Sequence, residues 1–306
     1  MLVLSMRSSN TTQDQIMGCL LGGALGDAWG GPWEGRVGPI DFQIPTRSSV
    51  SDDTQLTLAT CESIIENDCV DPECLASHFL TWFVKGRISG IGASTLKAMR
   101  DLAAGTHWAL AGSRGEYAAG NGAAMRIAPL AFLLDPISPD NRRTIRDVCR
   151  ITHHNDEAYV GALAVVLAIR SVLTGEWSQR NTFLGGVLDS LPDSAVRGRV
   201  EQLIGLQIPP SEIASRFGAS GYVVDTVPLA LYCAQFIAEE SLPAVLVRAI
   251  SAGGDTDTIA SITGQIAGTV ARIPSLSNDL FTGIQDSDAI LRIAHQFANF
   301  VGARGK

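Results

Sequence analysis

Residues Ile16 to Asp27 read Ile-Met-Gly-Cys-Leu-Leu-Gly-Gly-Ala-Leu-Gly-Asp, an apolar stretch of helical character carrying Gly18, Gly22, Gly23 and Gly26. An interior glycine costs a helix about 1 kcal/mol against alanine. A helix that keeps four of them needs a compensating gain, and close packing against another backbone supplies it. Elsewhere Ala, Gly and Ser recur at i, i+4, the spacing that lets helices lie in contact. Alternation with a period of two is nearly absent, and the Val/Ile runs are short. These features call for an all-α chain. The segment from Thr11, with Asp14 three residues on as a capping box, opens the first helix, which runs through about Asp27. Residues 1–10 read as a flexible N-terminal tail and 11–306 as one domain, with no internal repeat, linker or composition break.

Further helices are expected from Ser51, over Cys74–Val84, Ser94–Leu102 and Ala123–Leu134, and at about 141–151, 155–174, 194–204, 222–238, 241–250, 257–272 and 286–302. Glycine-rich loops separate several of them, notably Gly86–Gly92 and Gly112–Gly122.

The chain has 306 residues, enough to bury a sizeable core. Hydrophobic residues make up 46% and charged residues 18%, so much of it is interior. The net charge is −8, with no basic stripe, which argues against nucleic-acid binding through phosphates. Six cysteines (Cys19, Cys61, Cys69, Cys74, Cys149, Cys233) show no CxxC pairing. They read as small apolar residues of a protein in a reducing compartment. The start, Met1 to Arg7, is too short and wrongly ordered for a signal peptide. No stretch is expected to reach the roughly 18 uncharged apolar residues of a membrane helix. The expectation is a soluble, cytoplasmic monomer that binds neither membrane nor nucleic acid.

Two acidic clusters carry the chemistry: Ser51-Asp52-Asp53-Thr54 and Gly254-Asp255-Thr256-Asp257-Thr258, about two hundred residues apart. Each opens an apolar helical run. One Asp or Ser at a helix start is ordinarily a cap. Here a cap needs one side chain and several are present. The apolar helices that follow imply burial, where unpaired carboxylates are costly. Oxygen-only ligands suit a hard divalent cation such as magnesium, and the lack of His or Cys beside them argues against zinc. Glu34 lies in a Gly/Pro-rich loop after the first helix and has the bland reading of an exposed loop acid. His153-His154 precede a helix start and belong to no zinc motif. Gly120-Asn121-Gly122 is a turn signal first, although N–H groups before a helix also cradle phosphate.

Taken in order, these segments resemble the ADP-ribosylglycohydrolase family. The matching pieces are Gly22–Asp27 with Glu34 after it, Ser51-Asp52-Asp53-Thr54, Gly120-Asn121-Gly122-Ala123-Ala124-Met125-Arg126, Thr152-His153, and Gly253-Gly254-Asp255-Thr256-Asp257-Thr258-Ile259-Ala260. The resemblance implies a compact single-domain orthogonal helical bundle with a central two-metal cleft. It implies two Mg2+ ions, Mn2+ being an alternative, held by Ser51, Asp52 and Asp53 on one side and Asp255, Asp257 and Thr258 on the other. It implies that Gly120, Asn121, Gly122 and His153 contact ADP-ribose, and that Glu34, on a flexible loop, or Asp53 or Asp255 serves catalysis. The implied activity is hydrolysis of the glycosidic bond between ADP-ribose and a modified protein side chain or related small-molecule acceptor. Two alternatives stand beside it: a non-catalytic crystallin-like or ADP-ribose-binding relative, and another two-metal hydrolase of phosphate or nucleoside bonds. The chain departs from the family in two places. Ser51 stands where Thr is frequent, and Gly90 stands where arginine-specific members carry an Asp used as a base.

Overall fold

Three of the four glycines of the first apolar segment, Gly18, Gly22 and Gly26, meet a partner backbone, while Gly23 faces the Gln265 side chain. A computed structural model describes residues 2–177, 179–272 and 278–304. In it α1 (Leu2–Gly30) lies along α12 (Thr256–Ala271), the most extensive helix pair among the described residues. Gly18, Gly22, Gly26 and Gly30 form one edge of α1. A Cβ on any of them would strike the backbone of Gly268, Gly264, Ala260 or Thr256 respectively. Gly264 and Gly268 make the contact mutual, since a Cβ on either would strike the carbonyl of Gly22 or Gly18. The backbones therefore touch, where ordinary side chains hold helix axes about 8–10 Å apart. Because Gly18 meets Gly268 and Gly30 meets Thr256, the helices run antiparallel. The C-terminal end of α1 thus sits against the first turn of α12, and Thr256 Oγ1 donates to Gly30 O at 2.8 Å.

The helix starts at Leu2 rather than at Thr11, which places Thr11 and Asp14 within it. No Gly or Pro occurs between Leu2 and Met17, and a helix already nucleated extends cheaply. Around this pair stand α2 (Asp52–Asn67), α3 (Pro72–Val84), α4 (Ala93–Ala103), α5 (Pro139–Arg150), α6 (Asp156–Thr174), α7 (Arg180–Asp189), α8 (Ala195–Leu203), α9 (Pro210–Phe217), α10 (Val223–Ala234), α11 (Leu242–Ser251) and α13 (Ser287–Arg304). The all-α expectation is met. Strand structure among the described residues is one parallel pair, Ser113–Arg114 with His153–His154.

Three local readings change. The helix expected over Ala123–Leu134 is instead two 3-10 segments, Asn121–Ala123 and Ala128–Phe132. Pro129 removes a backbone donor there and breaks the helical ladder. Helices α7 and α9 were not anticipated. Gly185-Gly186 dilutes the apolar pattern of α7, and α9, eight residues between Pro209 and Gly218, is too short to display a period. Finally, α6 has the length and mean hydropathy (1.6) of a membrane-crossing helix, contrary to the expectation that no stretch would. Of that stretch 61% is buried, in packing against α5, α8, α10 and α12. It is a largely buried core helix, which explains its composition. Cys19, Cys61, Cys149 and Cys233 are buried, as small apolar residues are, while Cys69 is exposed.

Candidate active site

Asp27, near the end of α1, is fully buried. Its carboxylate accepts from Ser51 N–H at 3.0 Å, Thr54 N–H at 3.1 Å and Thr54 Oγ1 at 2.5 Å. It thereby fixes the first turn of α2, whose own cap is Ser51, accepting from Asp53 N–H at 3.3 Å. Asp52 and Asp53 are buried in consequence. Ser51 Oγ and Thr258 Oγ1 each donate to Asp53 Oδ2 at 3.2 Å. Asp53 Oδ1 is buried with no hydrogen-bond partner. Gly92 N–H donates to Asp52.

The facing wall is the first turn of α12. Gly253 and Gly254 take φ of +77° and +82°, and a Cβ on either would also strike backbone, Gly38 N or Ala219 O. Only glycine serves at these two positions. Asp255 holds the N-cap position but makes no capping bond. Its Oδ2 instead accepts from Asn121 Nδ2 at 2.6 Å, and the same amide donates to Thr226 Oγ1 at 3.0 Å. The ordinary reading of a helix-start Asp therefore fails at Asp255, whose carboxylate is turned into the cleft. Glu34 is exposed, yet its loop is fastened. Gly35 N–H donates to Gly254 O at 2.8 Å, Gly254 N–H to Arg36 O at 2.7 Å, and Ile40 N–H to Ser251 O at 3.0 Å. The flexible loop expected for Glu34 is thus a strap tied to the turn that carries Asp255. Glu34, Asp255 and Asp257 each bring a carboxylate oxygen within 4.8 Å of the others.

The two walls close a cleft of about 520 Å³, lined by Glu34, Asp52, Asp53, Asp255, Asp257 and Thr258 along its acidic side. Ser51 stands behind, bonded to Asp53. All the residues singled out in the two clusters therefore meet. Among the described residues no Lys or Arg lines the cleft, and none forms an ion pair with Asp27, Glu34, Asp52, Asp53, Asp255 or Asp257. Protons are held accordingly. Burial, then the Asp27 charge, pushes Asp52 up to about 8. Burial, then a hydrogen bond that protonated Asp257 donates to Asp255, pushes Asp257 up to about 9. Burial raises Asp27 to about 6 against the hydrogen bonds that lower it. Asp53 is raised well above its ordinary value, by burial first and by Asp257 next. Glu34 is raised by partial burial and by Asp255. An unpartnered buried oxygen on Asp53, like charges with no ion-paired Lys or Arg among the described residues, and donors that are all oxygen fit a hard divalent ion at this position.

The family profile of ADP-ribosylglycohydrolases matches residues 8–305. The chain belongs to the ADP-ribosylglycohydrolase family. Similar proteins include an uncharacterized protein of Archaeoglobus fulgidus, 30% identical over 247 residues that cover 80% of this chain and 78% of that one. The ADP-ribosylhydrolase ARH3 of Homo sapiens is 26% identical over 284 residues, again covering 80% and 78%. A solved chain from an ADP-ribosylglycohydrolase-related protein complex superposes with a TM-score of 0.75 at 23% identity, over 95% of this chain and 99% of its own. That likeness establishes the shared fold.

In this ADP-ribosylglycohydrolase fold, Gly120, Asn121, Gly122 and His153 also line the cleft. The turn is not a free nest of donors. Asn121 N–H donates to Gly221 O at 3.0 Å, and its amide is occupied by Asp255 and Thr226. The glycines instead make room for the His153 ring, since a Cβ on Gly122 would come within 2.9 Å of its Cε1. His153 Nδ1 bonds Thr152 Oγ1 at 2.8 Å, and Arg126 Nη2 donates to the same hydroxyl at 2.9 Å. Burial, and then Arg126, lowers His153 to about 3, so the ring is neutral. Two members of the site escaped the sequence reading as functional residues. Asp27 was visible only as the end of a glycine-rich motif, and Arg126 only as the end of another. Arg126 is fully buried, with Nε and Nη1 unpartnered and its guanidinium 4.6 Å from the Phe79 ring centroid. A lone charged residue closing an apolar helix was the available signal in the first case.

Proposed function

We propose that the protein is a magnesium-dependent hydrolase that cleaves the glycosidic bond joining ADP-ribose to a protein side chain or a related small-molecule acceptor. The observation that carries this is the crowding of Asp52, Asp53, Asp255, Asp257 and Glu34 on one cleft with no Lys or Arg among its described lining residues. Two Mg2+ ions, with Mn2+ as a substitute, fit between the walls. Ser51, Asp52 and Asp53 would hold them on the α2 side, and Asp255, Asp257 and Thr258 on the α12 side. Such ions supply a template for ribose hydroxyl and phosphate oxygens and lower the proton affinity of bound water.

The side chains do the rest. Water adds to the anomeric carbon, the bond to the acceptor breaks, and the acceptor leaves with a proton. Glu34, at the mouth of the cleft with a raised proton affinity, is placed to shuttle that proton. Asp53 and Asp255 are the alternative carboxylates. Asn121 fixes the rotamer of Asp255. Neutral His153 and the backbone at Gly120 and Gly122 form the wall for an uncharged part of the ligand. The cleft volume, about 520 Å³, lies within the usual range for small-ligand pockets.

Gly90 bears on the linkage. It takes φ of +76°, and a Cβ there would lie 3.3 Å from Ser51 Cβ and 3.6 Å from Asp52 Oδ1. A carboxylate at this point would be strained and set beside another acid. Its absence supports an acceptor other than arginine. The test is incubation with arginine-, serine- and thymidine-linked ADP-ribose, in magnesium and in EDTA. Release of ADP-ribose from a non-arginine linkage, dependent on magnesium, is expected. ADP-ribose binding without release from any of the three would make the protein a binding relative instead.

A further inference from the structure

A second cavity, of about 300 Å³, lies on the other side of the Glu34 strap. Its walls are the strap residues Arg36 and Val37 and the α9 residues Ser211, Ala214 and Ser215. It shares Gly35, Ser220 and Gly254 with the main cleft, so the two spaces adjoin directly beside Glu34. Their chemistry is opposite. The main cleft is acidic, with no Lys or Arg among its described lining residues. Among the described residues, the second cavity is lined by no acid and by one cation, Arg36.

Arg36 is held but not neutralised. Its guanidinium sits 5.0 Å from the Trp33 ring centroid, and among the described residues no carboxylate pairs with it. Beside it Val37 is 92% exposed, although its backbone is fixed by an antiparallel bridge to Gly253. An unpaired cation and a bare apolar side chain on a fastened backbone present a ready contact surface. The position decides what it would contact. A group that moves a proton at the scissile bond lies within about 3 Å of it. The two halves of a substrate must then lie on either side of Glu34, and the acidic cleft takes the half that binds cations.

We infer that this second cavity is the acceptor subsite, which receives a polypeptide segment carrying an acidic side chain next to the modified residue, read by Arg36. The inference rests on the hydrolase reading given above. It assigns substrate preference to charge complementarity on the acceptor side: an acidic neighbour is favoured, and a basic acceptor such as a guanidinium is repelled by Arg36.

The experiment compares two serine-linked ADP-ribosyl peptides, one flanked by glutamate and one by lysine. The proteins are wild type, Arg36→Ala, and Ser215→Trp, which adds bulk at an exposed cavity residue. Calorimetry with ADP-ribose is run on all three. The expected wild-type KM is lower for the acidic peptide. Arg36→Ala should raise that KM by about two- to fivefold, the span of an exposed ion pair, and leave the lysine peptide little changed. Ser215→Trp should raise KM for both peptides severalfold. ADP-ribose affinity should be the same in all three, and kcat little altered. If wild type releases ADP-ribose but neither variant shifts either KM, the subsite is wrong and the hydrolase reading survives. If ADP-ribose affinity falls along with peptide turnover, the cavity belongs to the ADP-ribose half and the inference is overturned. No release and no ADP-ribose binding by wild type would overturn both.

Discussion

The two walls of the cleft are built from the same residue types by different means. On the α2 side, Asp52 and Asp53 are buried, and their helix turn is clamped by a buried carboxylate reaching across from α1. On the α12 side, Asp257 is buried but Asp255 is half-buried and Glu34 exposed. Their turn is held by backbone hydrogen bonds to the strap and by the Asn121 amide. One wall is fixed through the core and the other through a loop. A fixed wall suits a template whose oxygens keep their positions throughout a reaction. A wall carried on a loop suits a group that changes protonation as substrate arrives and leaves. Thr258 joins them, since it stands on α12 and donates to Asp53 on α2.

The largest effects should come from removing one carboxylate from each wall. Asp52→Ala and Asp257→Ala are each expected to abolish turnover while the protein stays folded by circular dichroism. Near-native turnover by either variant at millimolar magnesium would remove that wall from the site. A smaller loss is expected at the exposed edge. Glu34→Gln keeps shape and removes charge, and should lower kcat by about 10²- to 10⁴-fold with ADP-ribose binding intact. If binding is lost as well, Glu34 holds ligand, and the contrast between a template wall and a proton-handling wall weakens. Asn121→Ala frees Asp255 to turn back and cap its own helix. A loss of about 10- to 100-fold in metal affinity is expected, as for partners that orient a ligand. No change in metal titration would show that the strap alone positions Asp255.

The smallest effect is thermal and depends on pH. Asp27, Asp52 and Asp257 keep their protons up to about 6, 8 and 9 in the folded protein. Unfolded, such groups titrate near pH 4. A raised folded value contributes stability that is complete below the unfolded value and is lost as pH rises through the folded one. The metal-free protein should therefore lose stability progressively between about pH 4 and 9. A cation must displace those protons, so the rise in Tm from EDTA to millimolar magnesium should be larger at pH 9 than at pH 5. A shift that shrinks with pH would contradict the assignment.

Much of this was legible in the residues, for reasons that differ by place. The glycines of Ile16–Asp27 demanded a backbone partner, and α12 meets that demand at Gly18, Gly22 and Gly26, because the requirement is steric and local. The acidic clusters were legible because their number exceeded what helix caps use. What escaped depended on distance in space. The clamp from Asp27 to the α2 turn, the capture of Asp255 by Asn121 and the tie between the Glu34 strap and Gly254 join segments far apart in sequence. No spacing rule reaches across such separations. Pro129 shows the reverse case, a local signal passed over: it marked the break in the helix expected over Ala123–Leu134.

The most direct measurement is a crystal grown with Mn2+ and an anomalous difference map at the manganese edge. The account predicts ion density in the cleft between the walls, coordinated by Asp52 or Asp53 from α2 together with Asp255 or Asp257 from α12. Density bound to one wall alone, or none at an occupancy-saturating concentration of Mn2+, would contradict it.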